Sequence, residues 1–208
     1  MTETGQSTGR RRRPHVVPDV ERLAGPQWQS EPAGRLELAH ATAAAVVRVG
    51  RERSGPDAPD LLTLADEVGL DTLAELWRLA ADDSLPGVLW ALYLLRSWCQ
   101  EQGTVLARWY AAGRPLAPVA EVVAGMSDFG DPAAVRQLAD DVLTGAYGGD
   151  FAVALDRAAA FFRIVAIGRV EVARDEDRVA ERDRADRNVR TAEALERAAT
   201  AWRSGLLR

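Results

Sequence analysis

Along most of this chain, apolar residues return every three or four positions. That spacing sets them on one face of an α-helix, because a helical turn takes 3.6 residues. From about Ala33 the series Leu36, His40, Ala43 and Val47 marks a first helix, which should end near Arg51 because Ser54, Gly55, Pro56 and Pro59 follow. Asp60 stands where a carboxylate can accept the orphan N–H groups of a second helix, whose apolar side is Leu61, Leu64, Ala65 and Val68. Gly69 suits a C-terminal cap. Thr72 and Glu75 have capping-box spacing, and Leu73, Trp77 and Ala80 form the next stripe.

Asp82, Asp83, Ser84 and Pro86 announce another start. The run from Val88 to Leu95 is apolar on every side, which predicts a helix in the middle of a bundle. Trp98, Val105, Leu106 and Trp109 continue it, Gly103 is a candidate break, and Gly113, Pro115 and Pro118 end it. A short helix over Pro118 to Ala124 follows. Asp131 as cap, with Pro132 at the first helical position, opens another that reaches about Thr144. After Gly145, Gly148 and Gly149, Asp150 can cap a helix with the stripe Phe151, Leu155, Ala158, Phe162 and Val165. Gly168 is a candidate kink there, although one helical glycine costs only about 1 kcal/mol.

The pattern then changes. From Arg169 to Arg190 there are seven arginines and seven acids, with few apolar residues beyond Val170, Val172, Val179 and Val189. Asp183/Arg187, Asp186/Arg190 and Glu193/Arg197 are spaced i,i+4, and Glu171/Arg174, Asp175/Arg178 and Glu181/Arg184 i,i+3. This predicts a solvated helix projecting from the bundle, with Leu195, Ala199 and Trp202 giving its far end an apolar face. No heptad seam runs through the charged stretch, which argues against a long coiled coil. No strand-like alternation and no repeat of solenoid length occurs. The expected architecture is therefore all-α: a single helical bundle of about seven or eight helices over residues 33–168, a charged helix over 169–208, and a disordered arm over 1–32, where Gly, Pro, Ser and Thr leave little periodicity.

Composition agrees with a globular chain. At 208 residues the length suits one domain, with 47% hydrophobic and 27% charged residues and a formal net charge of −5. Every basic residue is arginine and the only asparagine is Asn188, a bias expected of a GC-rich genome such as an actinobacterial one. The single cysteine, Cys99, lies in an apolar run and reads as a small core residue. The Arg10–Arg13 cluster is followed by no apolar segment, so it does not read as an export signal. The run Val88 to Leu95 falls far short of the ~20 residues that span a bilayer. The expectation is a cytoplasmic protein with no membrane attachment.

The residue inventory excludes much chemistry. Without lysine there is no phosphate-loop lysine, no Schiff-base lysine for pyridoxal phosphate and no kinase strand lysine, so Asp128-Phe129-Gly130 reads as a turn rather than a magnesium triplet. Of two histidines, His15 lies in the arm and His40 on the apolar stripe of its helix. Neither a Gly-x-Ser-x-Gly elbow nor a histidine-based metal set occurs. The close carboxylate pairs Asp82/Asp83, Asp128/Asp131 and Asp140/Asp141 are read as helix-end caps. No catalytic, cofactor-binding or metal-binding residue is assigned, no cofactor is expected, and the chain is not expected to be an enzyme.

Leu64 to Thr72 resembles the centre of a helix-turn-helix, with a small residue, a glycine four later and then an aliphatic residue. A recognition helix over Asp71 to Ala80 would offer Asp71, Thr72, Glu75 and one arginine, Arg78. From Glu52 to Asp150 there are 16 acids and 6 arginines, a local net of 6 − 16 = −10. That charge opposes a phosphate backbone, so nucleic acid is disfavoured.

Two stretches, Ser84-Leu85-Pro86-Gly87-Val88-Leu89-Trp90-Ala91-Leu92-Tyr93-Leu94-Leu95-Arg96 and Gly149-Asp150-Phe151-Ala152-Val153-Ala154-Leu155-Asp156-Arg157-Ala158-Ala159-Ala160-Phe161, resemble a family of uncharacterised actinobacterial helical proteins. The likeness covers about residues 60–168. It implies a phylum and a helical fold and transfers no functional residue. Some members carry the label RNA polymerase β-subunit, which the short chain and its lack of a catalytic aspartate motif do not support. The reading that remains is a non-catalytic protein–protein interaction or regulatory module. Its partner would be another protein, with oligomerisation through the C-terminal helix also open, and six tryptophans suit contact surfaces. The alternative is a helix-turn-helix-like DNA-associated regulator using residues 61–80.

Overall fold

The computed structural model describes residues 32–52, 75–125 and 131–208. The chain divides into two units, 1–35 and 36–208. Of the first only Pro32–Arg35 is described, as the opening turn of a helix. The second unit carries the bundle. The expected arm (with Arg10–Arg13, His15 and Trp28), the helix-turn-helix-like centre and the Asp128-Phe129-Gly130 triplet lie outside the described residues.

Beside the helical end of a further segment over residues 75–77, the described residues hold six α-helices, two 3₁₀ turns and no strand. They are α1 (Pro32–Glu52), α2 (Leu85–Gly113), α3 (Pro118–Ala124), α4 (Pro132–Gly148), α5 (Phe151–Glu171) and α6 (Arg178–Arg203), with 3₁₀ turns at Arg114–Leu116 and Asp175–Asp177. The fold is an all-α bundle. No described helix is long and apolar enough to cross a membrane.

Local chemistry sets the helix starts. Asp131 accepts the Ala133 N–H at 2.8 Å, and Asp150 accepts those of Ala152 and Val153 at 3.0 and 3.2 Å, as the sequence suggests. Ser84, rather than Asp82 or Asp83, caps α2 by accepting the Gly87 N–H at 3.3 Å, with Pro86 in the first turn. The break in α2 falls at Gln102 (φ −123°, ψ 27°), one residue before the expected Gly103.

Helix α5 is the hub. It packs against α2, α3, α4 and α6, and its buried residues surround it, from Phe151 and Leu155 through Phe161, Phe162 and Ile164 to Val165. The centre of the bundle is therefore α5 and not α2. In α2, Val88, Leu89, Leu92 and Leu95 are buried, but Leu94 is 44% exposed, so the all-apolar run has an inner and an outer side. Alanines let neighbours close around α5, since a methyl holds a packed helix at short range.

Helices α2 and α5 meet at two glycines. A Cβ on Gly168 would strike the Trp109 carbonyl oxygen, and one on Gly113 the Ile164 carbonyl oxygen. Gly168 thus permits a close approach; α5 runs through it unbroken. On α1 the expected Ala43 and Val47 are buried, but the inner stripe reaches them through Ala39 rather than through Leu36 and His40, which are 47% exposed and half-buried. Trp77 is buried beside this helix, and its indole N–H donates to Thr42 Oγ1 at 3.1 Å.

The expected projection of the C-terminal helix is corrected. Helix α6 lies along α5 in the most extensive helix–helix contact of the described structure. Ala185, Asn188, Ala192, Leu195, Ala199 and Trp202 follow three-four spacing, and the alanines and Leu195 among them are buried. The seam starts at Ala185, near the end of the charged stretch, and most of it lies beyond Arg190, so it is the far half of the helix that packs. Ion pairs edge it. Arg163 donates two parallel bonds to Glu196 at 2.7 and 2.6 Å, and Arg203 reaches Asp156 at 2.5 Å. Arg197, expected to pair with Glu193, reaches Asp83 at 3.6 Å. The Leu85 N–H donates to the Arg208 carbonyl at 2.9 Å, joining the last residue to the start of α2.

Candidate functional site

Trp90, Leu94 and Trp98 occupy successive turns of α2, four residues apart, on the side turned away from its buried leucines. Opposite stands α6, with Asn188, Thr191 and Ala194. Both helices lean on α5 and touch each other only lightly, so a groove opens between them. Phe162 of α5 lies in it, its ring 6.1 Å from that of Trp98 and nearly parallel. The cavity holds about 480 Å³. Its polar members are Asp82, Ser97 and Glu101 on the α2 side and Asn188 and Thr191 on the α6 side. Ser97 Oγ donates to Glu101 Oε1 at 2.9 Å, and the Trp98 indole N–H donates to Gln102 at 3.3 Å. Trp90 stacks on Tyr93 with centroids 5.6 Å apart.

Beyond Trp98 the aromatic wall is capped by a cation. Arg169 is only 8% exposed, and its guanidinium lies 4.0 Å from the Trp109 ring centroid and 5.5 Å from that of Trp98. Its Nε is 3.5 Å from Glu181 Oε2, and Glu181 also meets Arg184. Burial pulls the Arg169 guanidinium below the usual arginine value; Glu181 opposes this, while Arg184 and Arg187 add to it. An arginine so placed still keeps its charge at neutral pH. It fixes the tilt of two indoles and pins α6 to the end of α5.

A second recess, of about 510 Å³, lies beside α3 and is lined by Val119, Val123 and Ala160. Its charged members, Asp156, Arg163 and Glu196, are held in the α5–α6 ion pairs, which leaves little to orient a ligand. The aromatic groove is the stronger candidate.

The other residues weighed from the sequence fall elsewhere. Cys99 is buried, and burial, helped by Asp140, pushes its thiol up to about 12, so it is no nucleophile at neutral pH. Asp140 and Asp141 are not caps: they sit inside α4, where Asp140 meets Arg96 at 3.2 Å and Asp141 accepts from Gln137 at 2.8 Å. Asp82 and Asp83 precede α2 without capping it. Among the described residues no group of three or more His, Cys, Asp or Glu could hold a metal ion. The described end of the proposed recognition helix stops at Trp77, and Arg78 pairs with Glu75 at 2.9 Å. The face of Leu195, Ala199 and Trp202 is turned against its own bundle; Trp202 packs on Phe151 at 4.6 Å, with Arg51 over its ring at 4.6 Å.

Reasoning from the sequence missed the groove. The signal was the second apolar series of α2, Trp90–Leu94–Trp98, running beside Val88–Leu92–Leu95. Comparison with family models, curated proteins and solved structures finds no match. The reading of the groove therefore stands on its geometry.

Proposed function

We propose that this chain is a non-catalytic protein–protein interaction or regulatory module of the cytoplasm, which receives a helical segment of another protein in the groove between α2 and α6. One observation carries the reading: Trp90, Leu94 and Trp98 are left partly open to water in a row, over a floor made by Phe162. Such apolar surface gains free energy when covered, at roughly 25 cal/mol per Å², and tryptophan at the centre of a contact commonly carries much of its strength. A furrow between two helices suits a third helix laid along it. Kinship with the actinobacterial family belongs to the same proposal, since the stretch that suggests it, Ser84 to Arg96, contains Trp90 and Leu94.

The test is site-specific photo-crosslinking in the native cell. A photoreactive residue at Ser97, inside the groove, should join the chain to a defined partner. Leu94→Arg should abolish the adduct. An equal yield of the same adduct from exposed Arg108 would refute a partner seated in the groove.

A further inference from the structure

We infer that the segment seated in the α2–α6 groove is a cationic amphipathic helix, with arginine or lysine flanking an apolar stripe; this rests on the groove reading above. The charged residues that line the groove are Asp82 and Glu101, both acids, and no arginine lines it. They stand toward opposite ends of the α2 wall. From Gly87 to Glu101 that wall rises about 21 Å at ~1.5 Å per residue, so a partner helix of about four turns would pass both carboxylates. Three nearby arginines are engaged with acids: Arg96 with Asp140 at 3.2 Å, Arg197 with Asp83 at 3.6 Å, and Arg169 with Glu181 at 3.5 Å.

An acidic segment entering here would bring like charges together at both ends while its apolar face lost water. A basic one gains at both ends. The aromatic wall adds a second attraction for cations. This chain already lays guanidinium groups on its indoles, Arg169 over Trp109 at 4.0 Å and Arg51 over Trp202 at 4.6 Å. The partly open indoles of Trp90 and Trp98 offer a partner the same kind of surface. At longer range, the net charge of −5 steers a cation toward the molecule and an anion away.

The test uses the full chain and a display library of helical peptides about 14 residues long, with a fixed leucine stripe and randomised flanks. The bait proteins are wild type, Leu94→Arg and the double variant Asp82→Asn/Glu101→Gln. Both acids are exposed, so the double variant should keep the wild-type melting curve. Arginine and lysine should be enriched at the flanks with wild type. The best peptide should bind about tenfold tighter than its twin with those residues changed to glutamate, and that gap should shrink to about twofold on the double variant. Equal binding of both twins, lost in Leu94→Arg, would overturn the cationic inference and leave the groove reading intact. Enrichment of acidic flanks would do the same. Peptide binding that Leu94→Arg leaves unchanged, or no binding at all, would overturn the groove reading and this inference with it.

Discussion

Arg169 is the one charged side chain buried among the described residues, and it shows how a charge can be kept in an apolar setting. Two indole faces and one carboxylate stand in for water. Removing the carboxylate leaves the charge without its opposite, and an uncompensated buried ion is costly. Glu181→Gln should therefore lower stability by about 1–3 kcal/mol, read from urea unfolding. Arg184→Gln, which takes away an exposed partner of the same carboxylate, should cost no more than about 0.5 kcal/mol. Equal costs would mean that the indoles alone hold the charge. Cys99 gives a pH test. Its thiol is raised from 9.0 to about 12 in the folded chain, so the folded state holds its proton where the unfolded state releases it. That contribution is complete below the unfolded value and is lost as pH climbs through the folded one. Wild type should lose more stability than Cys99→Ala between pH 9.0 and about 12, measured as urea midpoints against pH. A constant difference between the two would show that burial does not govern the thiol. Its place in the core was readable from the apolar run around it. Arg169 was not, because a stacked arginine looks in sequence like any solvated one.

At the scale of helices, what was legible is what is local. Asp131 and Asp150 announce α4 and α5 because a cap reaches only two or three residues ahead, and Asp150→Ala should cost about 1 kcal/mol. Packing partners are not local, and there the periodicity misleads. Leu36 was set on the inner face of α1 because a leucine outweighs an alanine in any hydrophobic count, whereas Ala39 is the residue buried with the expected Ala43 and Val47. Glycines show the same split. Gly168 looks like a weak point in α5, yet its missing Cβ lets the Trp109 carbonyl come close. Gly168→Ala and Gly113→Ala should each force α2 and α5 apart and destabilise by about 2–4 kcal/mol. Gly145→Ala is the control. The added Cβ would meet only the Ala154 methyl at 3.6 Å, ordinary contact. There the better helix former should leave stability unchanged or raise it by up to about 1 kcal/mol. If all three variants melt alike, the close crossing is not what holds these helices.

At the scale of the molecule, folding and recognition use the same part. The small-residue seam of α6 closes the bundle against α5, and its edge, where Asn188 is joined by Thr191 and Ala194, is one wall of the groove. One wall of the groove, Trp90–Leu94–Trp98, is legible in the sequence, but the groove itself belongs to no single helix. It exists because α2 and α6 both rest on α5 and scarcely on each other. The charge pattern of Arg169 to Arg190 suggested a helix that projects from the bundle, and the two views predict opposite results. If α6 were an appendage, a chain ending at residue 177 would melt almost as the full chain does. With the seam in place, truncation uncovers the apolar face of α5 and leaves Arg163 and Asp156 without Glu196 and Arg203. The truncated chain should then lose its cooperative thermal transition and expose surface that binds a hydrophobic dye. A sharp transition within a few degrees of the full chain would refute the closing role of α6. The same dependence decides how recognition has to be tested. Deleting α6 would abolish binding whether or not its wall touches the partner, so only substitutions on the open faces, such as Leu94→Arg, Asp82→Asn and Glu101→Gln, separate loss of contact from loss of fold.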